Sequence, residues 1–425
     1  MSFNDPTTPL ENHTPVVGVE QDSEYNVTEL NNGFTVLTET SKFPGAVHFG
    51  FMMNVGTRDE TAETSGALMA IKNTYLKTLK HTNETVNYGM TQMSGGEFKM
   101  DFDQETTYFR GHCIEYDVSD MFQMMVDCAL EPKSVLSANV AKAKNRKTQA
   151  LKEHLSKFDP WAYENDLLLR TAYGYNTLGM PYYGLEGNVE SIDARMLQNF
   201  VIDNITPKKC LIVANGVHNH NEFVSLAKER LGELLPVPEH QYERSTSEYI
   251  GGEFRNWTET PNTSITVAFE GAKWTDANQP VFQVMSELLG STNGPSLNRA
   301  VQNLAKEHSF VDEAHTVNSH FTDSGLFGLT VRGPGSHSRE LMDVLLGELN
   351  GLKTNITEEE LNRAKNHLKV QILSDMDCGR RRLEEVARNY MTFGELNFDK
   401  YCEKIDSVTA EDINTVSTAS NLLGC

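Results

Sequence analysis

The chain repeats itself. Ala143-Lys144-Asn145 returns as Ala364-Lys365-Asn366, 221 positions later, and the amphipathic run Ser119–Leu130 returns as Ser338–Leu349 at an offset of 219. The strand-like run Glu105–Cys113 before the first corresponds to Asp323–Val331 before the second, with Phe109 matching Phe327 at an offset of 218. Three matches in one order at a nearly constant offset indicate a duplicated unit of roughly 220 residues. Whatever fold the first half adopts, the second half is bound to resemble.

Each unit places strands first: Gly33–Thr38 and Ala46–Val55, then Ser264–Glu270 in the second. An amphipathic helix follows, Ser65–Leu79 and Gln279–Leu289. Two further strands read as a hairpin, Gly96–Phe102 with Thr106–Cys113 and Phe310–Asn318 with Gly325–Val331. Long helices close each unit. One is Val135–Lys157, stopped before Pro160; its partner starts at Thr357, with Glu360 three residues on as a capping box. Period-2 and period-3.6 segments come in blocks rather than in strict alternation. The expected fold class is α+β: two homologous domains, each a mostly antiparallel sheet with helices packed on one face. Pro236, Pro238 and the polar run Glu239–Glu248 mark the boundary. The expected organisation is an extension over 1–24, a repeat over 25–235, a linker over 236–252 and a second repeat over 253–425.

Charge narrows the partners. Lys plus Arg is 37 and Asp plus Glu is 59, a net charge of −22. Such a surface repels nucleic-acid phosphates and anionic lipid and suits a cationic partner, or serves solvation only. No apolar run reaches the roughly 18–20 residues that span a bilayer. The six cysteines are scattered without a CxxC pair, which favours a reducing compartment over a disulfide scaffold. Before Lys42 there is no Lys or Arg, so the start reads as neither a secretory signal nor an Arg-rich transit peptide.

Catalytic motifs are scarce. There is no GxSxG, P-loop or GxGxxG. His218 and His220 precede a helical run over Asn221–Leu231 and read as solvent-exposed capping. His308, His315 and His320 lie near Glu307 and Asp312, but their odd spacings put neighbours on opposite faces of a strand, against a metal site. Met121, Met124 and Met125 read as core. Arg380, Arg381 and Arg382 open an amphipathic helix, solvated or paired with Glu384, Glu385 or a partner subunit. From the residues alone this is a duplicated α+β protein with no identifiable catalytic centre.

Several stretches resemble the mitochondrial processing peptidase and complex III core-protein family, of the pitrilysin-insulinase clan of zinc peptidases. They are Asn32-Gly33, Val55-Gly56-Thr57-Arg58-Asp59-Glu60, Asn176-Thr177-Leu178-Gly179, Asn215-Gly216-Val217, Tyr249-Ile250-Gly251-Gly252 and Asp323-Ser324-Gly325-Leu326-Phe327. Each is weak alone, and their order over some 400 residues makes the match specific. Asn176–Gly179, Tyr249–Gly252 and Cys378–Gly394 look most like the alpha-subunit branch. Catalytic members carry HxxEH on the first helix after the Gly56–Glu60 stretch: two histidines one turn apart bind zinc, the Glu between them activates water, and a distal Glu completes the site. Aligned so, Met69 and Asn73 stand at the histidine positions, Lys72 at the general base and Ala150 near the distal ligand. A thioether is a poor zinc ligand, Asn a weak one, and an ammonium repels the ion. No HxxEH or HExxH occurs anywhere in the chain.

The resemblance therefore implies a non-catalytic member, with no cofactor in this chain and zinc, if any, on a beta-type partner. The alpha branch's long glycine-rich loop, which touches presequences, corresponds to a shorter stretch, Leu289–Ser296. It keeps Gly290 and Gly294, with Pro295 beside them, as a possible peptide-contact loop. The shortening tilts the expectation toward a core 2-type structural subunit of respiratory complex III, peripheral on the matrix side of the mitochondrial inner membrane. Its partners would be a beta-type homologue, other complex III subunits and possibly basic presequence peptides. The rival is the recognition subunit of an active presequence peptidase; a third reading, a metalloprotease of its own using His308, His315 and His320, is the weakest.

Overall fold

The computed structural model describes residues 24–40, 45–76, 95–130, 160–188, 191–231, 244–257, 260–295, 297–353, 356–396 and 398–419. The first sheet holds β1 (Glu24–Glu29), β2 (Thr35–Thr40), β3 (Ala46–Met53), β4 (Glu97–Phe102), β5 (Thr107–Ile114) and β6 (Cys210–Val217), in the order β1-β2-β6-β3-β5-β4. All its neighbours are antiparallel except β2 and β6. The second sheet holds β7 (Asn262–Glu270), β8 (Glu313–His320) and β9 (Gly325–Pro334) in the order β7-β9-β8, all antiparallel. The α+β class with mostly antiparallel sheets is the one the blocks of periodicity predict.

The duplication extends to the backbone register. Phe51 on β3 faces Phe109 on β5, and Phe269 on β7 faces Phe327 on β9, each 218 positions later. Glu97 facing His112 likewise recurs as His315 facing Thr330. A register slip of one residue turns every side chain to the other face. Keeping the register keeps the inward phenylalanines inward, and Phe109 and Phe327 are fully buried.

Helices of each half line one face of its sheet. In the first half these include α1 (Ala67–Lys72), α2 (Val118–Leu130), and, beyond α3 (Pro160–Tyr173), α4 (Ala194–Asn204) and α5 (His220–Leu231). Met121 and Met125 are buried there against Phe122 and Val126, as core residues. The first helix is shorter than the expected Ser65–Leu79, giving way to turns after Lys72. Val135–Lys157, with Ala143-Lys144-Asn145, lies outside the described residues. The second half has α6 (Gln279–Leu289), α7 (Ser338–Gly351), α8 (Glu358–Asp377), α9 (Gly379–Phe393), α10 (Phe398–Ser407) and α11 (Ala410–Ala419). Thr357 caps α8 as expected, accepting from the Glu360 N–H at 3.3 Å. The capping box is only half made, because the Glu360 carboxylate turns to Arg299 at 2.8 Å.

Two helices cross over. α9, late in the chain, lays Leu383, Val386 and Ala387 on the first sheet against Leu37, Met52, Leu211 and Val213. α3, from the first half, lies on the second: Leu169, Ala172 and Tyr173 pack with Phe321 and Leu326, and Glu164 accepts from Ser264 and pairs with Arg332, each at 2.9 Å. Each sheet thus buries its second face under a helix drawn from the other half. Arg382 pairs with Glu39 and Arg381 with Asp375, while Glu384 pairs with Arg110 and Glu385 with Arg388. Arg381 and Arg382 therefore find other partners than Glu384 and Glu385.

A buried charge cluster joins the halves. Arg58 follows β3 and donates both to Glu105 at 2.5 Å, in the β4–β5 turn, and to Asp323 at 2.7 Å, in the β8–β9 turn. Asp323 is the counterpart of Glu105, 218 positions on, so one guanidinium holds equivalent carboxylates from both copies. The run read as a linker fills the same place. Its described part is pinned rather than free: Arg244 bonds Asp59 and Asn54, the Ser245 carbonyl and Ser247 hydroxyl accept from Arg58, and the Ser247 N–H donates to Asp323.

Candidate functional site

The approach to α1 is built by Glu60 and Gly66. Gly66 takes a left-handed φ of 95°, which glycine adopts without cost. The Glu60 carboxylate accepts the N–H groups of Gly66 at 2.8 Å and Leu68 at 2.9 Å, tying down the free end of the helix. Burial pushes this carboxyl up to about 8, against the pull of those N–H groups.

The three described degenerate positions then have different surroundings. Met69 is buried in the first core. Asn73 ends α1, its N–H bonded to the Met69 carbonyl. Lys72 extends its ammonium to Asp101 at 2.9 Å and to the Tyr182 hydroxyl at 3.0 Å, over the rings of Phe102 and Tyr182. Burial alone would lower its pKa, but the bonds to Tyr182 and Asp101 outweigh that and raise it. Asp101 in turn meets Arg110 at 2.7 Å, and Arg110 meets Glu384 of the crossing helix. A fixed cation at Lys72 and a buried thioether at Met69 do not fit zinc. Ala150 lies outside the described residues.

The histidines named from the sequence do not converge. His220 opens α5, but not as an exposed cap: its ring is held by Thr28 at 2.7 Å and Thr38 at 2.8 Å, on β1 and β2, and burial lowers its pKa. Asn219 does the capping, accepting the Asn221 N–H at 2.9 Å. His320 is buried beside Trp274 with Nδ1 2.7 Å from the Ala272 carbonyl, and the His308 ring lies tilted 5.4 Å from that of Phe310. His315 faces a cavity, where burial, helped by Arg332, pushes it down to about 4. Among the described residues no three His, Cys, Asp or Glu side chains gather as a metal site.

That cavity, of about 440 Å³, lies under the loop after α6 and is lined by Glu287, Gly290, Gly294, Pro295, His315 and His367, among others. The loop is ordered by its own bonds. Thr292 N–H donates to the Ala314 carbonyl at 2.9 Å and Thr316 N–H to the Gly290 carbonyl at 3.1 Å, so Ser291 adds a bridge to the edge of β8. Gly290 has φ +69°, and a Cβ there would sit 2.2 Å from Asn298 Nδ2. Its glycine is a packing requirement, which a sequence reading of flexibility misses. Glu287 meets His367 across the cavity at 2.6 Å. Neither of these two stood out in the sequence, because 80 residues separate them.

Residues 191–368 match the family described as Peptidase M16 inactive domain. The chain is 24% identical to the probable mitochondrial-processing peptidase subunit beta of Arabidopsis thaliana over 414 residues, 93% of this chain and 76% of that protein. It is 23% identical to the same plant's probable subunit alpha-2, covering 97% of this chain and 83% of that one. It is 25% identical to the ubiquinol-cytochrome-c reductase complex core protein I of Euglena gracilis, covering 90% and 82%. A chain of complex III2 from Candida albicans superposes with a TM-score of 0.78 at 18% identity, covering 93% of this chain and 92% of that one. Over nearly its whole length the chain is similar to processing-peptidase subunits of both kinds and to a complex III core protein. Alpha and beta subunits match it to nearly the same degree.

Proposed function

We propose that this chain is a non-catalytic core subunit, of the core 2 or processing-peptidase-alpha type, in mitochondrial respiratory complex III. It sits peripherally on the matrix side of the inner membrane, paired with a beta-type homologue, and carries no zinc. The ion pair of Lys72 with Asp101 carries this reading: it replaces the base that would activate water with a cation whose charge is already neutralised. No helix among the described residues is long and apolar enough to cross a membrane, which fits a peripheral place. Native mass spectrometry of the intact assembly tests it. The expected result is this chain with a beta-type homologue and cytochrome-bearing subunits, and no zinc on the isolated chain. An assembly without any cytochrome subunit overturns it.

The cavity under Gly290 and Gly294 supports a second reading, recognition of basic presequences for a zinc site on the beta-type partner. Glu287 supplies a carboxylate there for a cationic side chain. Replacing Gly290 would dislodge Asn298 and confuse the test. Asn293 and Pro295 are exposed and serve better. If the purified heterodimer cleaves an Arg-rich presequence, and Asn293→Asp with Pro295→Ala changes KM and leaves folding intact, the recognition role holds. A heterodimer without cleavage rejects it.

A further inference from the structure

Little charge reaches the cavity under the Gly290 loop. Among the described residues that line it, Glu287, His315 and His367 can carry one; the others offer hydroxyls, amides, glycine, proline and alanine. His315, on β8, is pushed down to about 4 by burial and by Arg332, so it stays neutral at ordinary pH. That leaves Glu287 on α6 and His367 on α8, with Nδ1 2.6 Å from Oε2. An ionised carboxylate only accepts, so Nδ1 carries a hydrogen whether the ring is neutral or charged. The contact survives in both states. What changes is the net charge of the lining: one negative charge with the ring neutral, none with it protonated. Other charged groups near His367 are engaged elsewhere. Arg363, one turn earlier on α8, donates to the Leu297 carbonyl at 3.1 Å and reaches Glu359 at 4.0 Å. Lys365 and Lys369 lie on the far side of α8 and turn to Asp406 of α10, at 3.0 Å and 2.6 Å. On β8, Glu313 pairs with Arg332 at 3.0 Å. Residues 290–295 of the loop include no ionisable side chain.

We propose that Glu287 and His367 form a charge gate on this cavity, which holds the guanidinium of a peptide arginine while His367 is neutral and releases it once the ring is protonated. The proposal rests on the recognition reading above and adds what regulates it. A neutral His367 orients the carboxylate with one N–H and leaves its charge to the guest. An imidazolium in the same place cancels that charge and repels a second cation. Exposure divides the two roles. The Glu287 side chain keeps 20% of its surface in water, so its attraction is less screened than at an open surface. The His367 side chain keeps 40%, so its ring exchanges protons with solvent. Histidine is also the side chain whose charge ordinarily changes between about pH 5 and 8.

Fluorescence anisotropy on the full chain tests the gate. The probes are a labelled peptide with blocked ends that bears one arginine, and the same peptide with citrulline, which keeps the shape of arginine without its charge. At pH 8 the arginine peptide binds about tenfold tighter than the citrulline peptide, and at pH 5.5 the preference is gone. His367→Gln still donates to Glu287 but takes no charge, and it keeps the preference at both pH values. His367→Lys sets a permanent cation beside the carboxylate and lacks the preference at both. Unchanged far-ultraviolet circular dichroism checks that the variants fold. If either does not, the arginine-to-citrulline ratio of the unsubstituted chain at the two pH values still decides. A preference that does not change with pH, or that falls in His367→Gln as in the unsubstituted chain, overturns the gate and leaves the recognition reading standing. No preference at pH 8 overturns both.

Discussion

The first and second sheets were built from one plan and finished differently. Both place a phenylalanine pair at the same point of the same register, Phe51 with Phe109 and Phe269 with Phe327. Among the described residues, the first surrounds its central strand on both edges and the second pairs β7 on one. Duplication thus preserves the inward-facing core, where a register slip would bury the wrong side chains, and tolerates change at an edge, where backbone groups reach water. The exchange of α3 and α9 makes the halves depend on one another. Phe109→Ala and Phe327→Ala each lose on the order of 3–5 kcal/mol, since both rings are fully buried. In urea both variants shift one common transition, followed by circular dichroism and by tyrosine fluorescence. Two separated transitions would mean that the crossing helices do not couple the sheets.

The Arg58 cluster is the next point at which the comparison can be broken. Arg58→Leu leaves Glu105 buried without its main cation, and breaking such a pair costs about 3 kcal/mol. Asp323→Asn keeps Glu105 paired and costs less. If the two variants lose the same stability in denaturant titration, Arg58 serves the second half as much as the first, contrary to its closer contact with Glu105.

The two halves also carry carboxyls that titrate in opposite senses. Glu60 is raised to about 8, so the stability it supports is fully present below about pH 4.5 and is lost as pH rises through about 8. Asp323 is lowered: burial would raise it, but the bonds from Arg58 and the Ser247 N–H outweigh that. Its contribution is present above the ordinary Asp range and lost as pH falls below it. Glu60→Gln, which also gives up one N–H bond, flattens the fall in melting temperature between pH 5 and 8, a span on the order of 3–4 kcal/mol. Asp323→Asn flattens only the acid limb, and by less than about 1 kcal/mol because the side chain keeps 23% of its surface in water.

Local features were legible in the sequence. The repeat, the strands that bear it, the Thr357 cap and the buried methionines of α2 all follow from spacing within a few residues. Long-range pairings were not. Arg58 and Asp323 are 265 positions apart, and His220 meets Thr38 across 182. Nothing in the pattern of α3 or α9 says that each would cover the other half's sheet, because an amphipathic stripe shows that a face is buried and not against what. The sequence shows at Met69, Lys72 and Asn73 residue types that make a poor zinc site. Its chemistry needed the fold, which brings Asp101 and Tyr182 to the ammonium.

That ammonium gives the smallest effect and the sharpest check on the first half's departure from the peptidase pattern. Lys72 and Asp101 are both partly exposed, so Lys72→Met costs no more than about 1 kcal/mol. Lys72→Glu costs somewhat more, because it sets two carboxylates together with Arg110 as their nearest cation. Neither variant binds zinc, since Met69 and Asn73 offer no imidazole and a single carboxylate does not make a tetrahedral site. Zinc content measured by inductively coupled plasma mass spectrometry after dialysis stays at the level of the unsubstituted chain. Stoichiometric zinc in Lys72→Glu alone would mean that other side chains already complete the site, and the first half would then have to be read as a peptidase lacking one group.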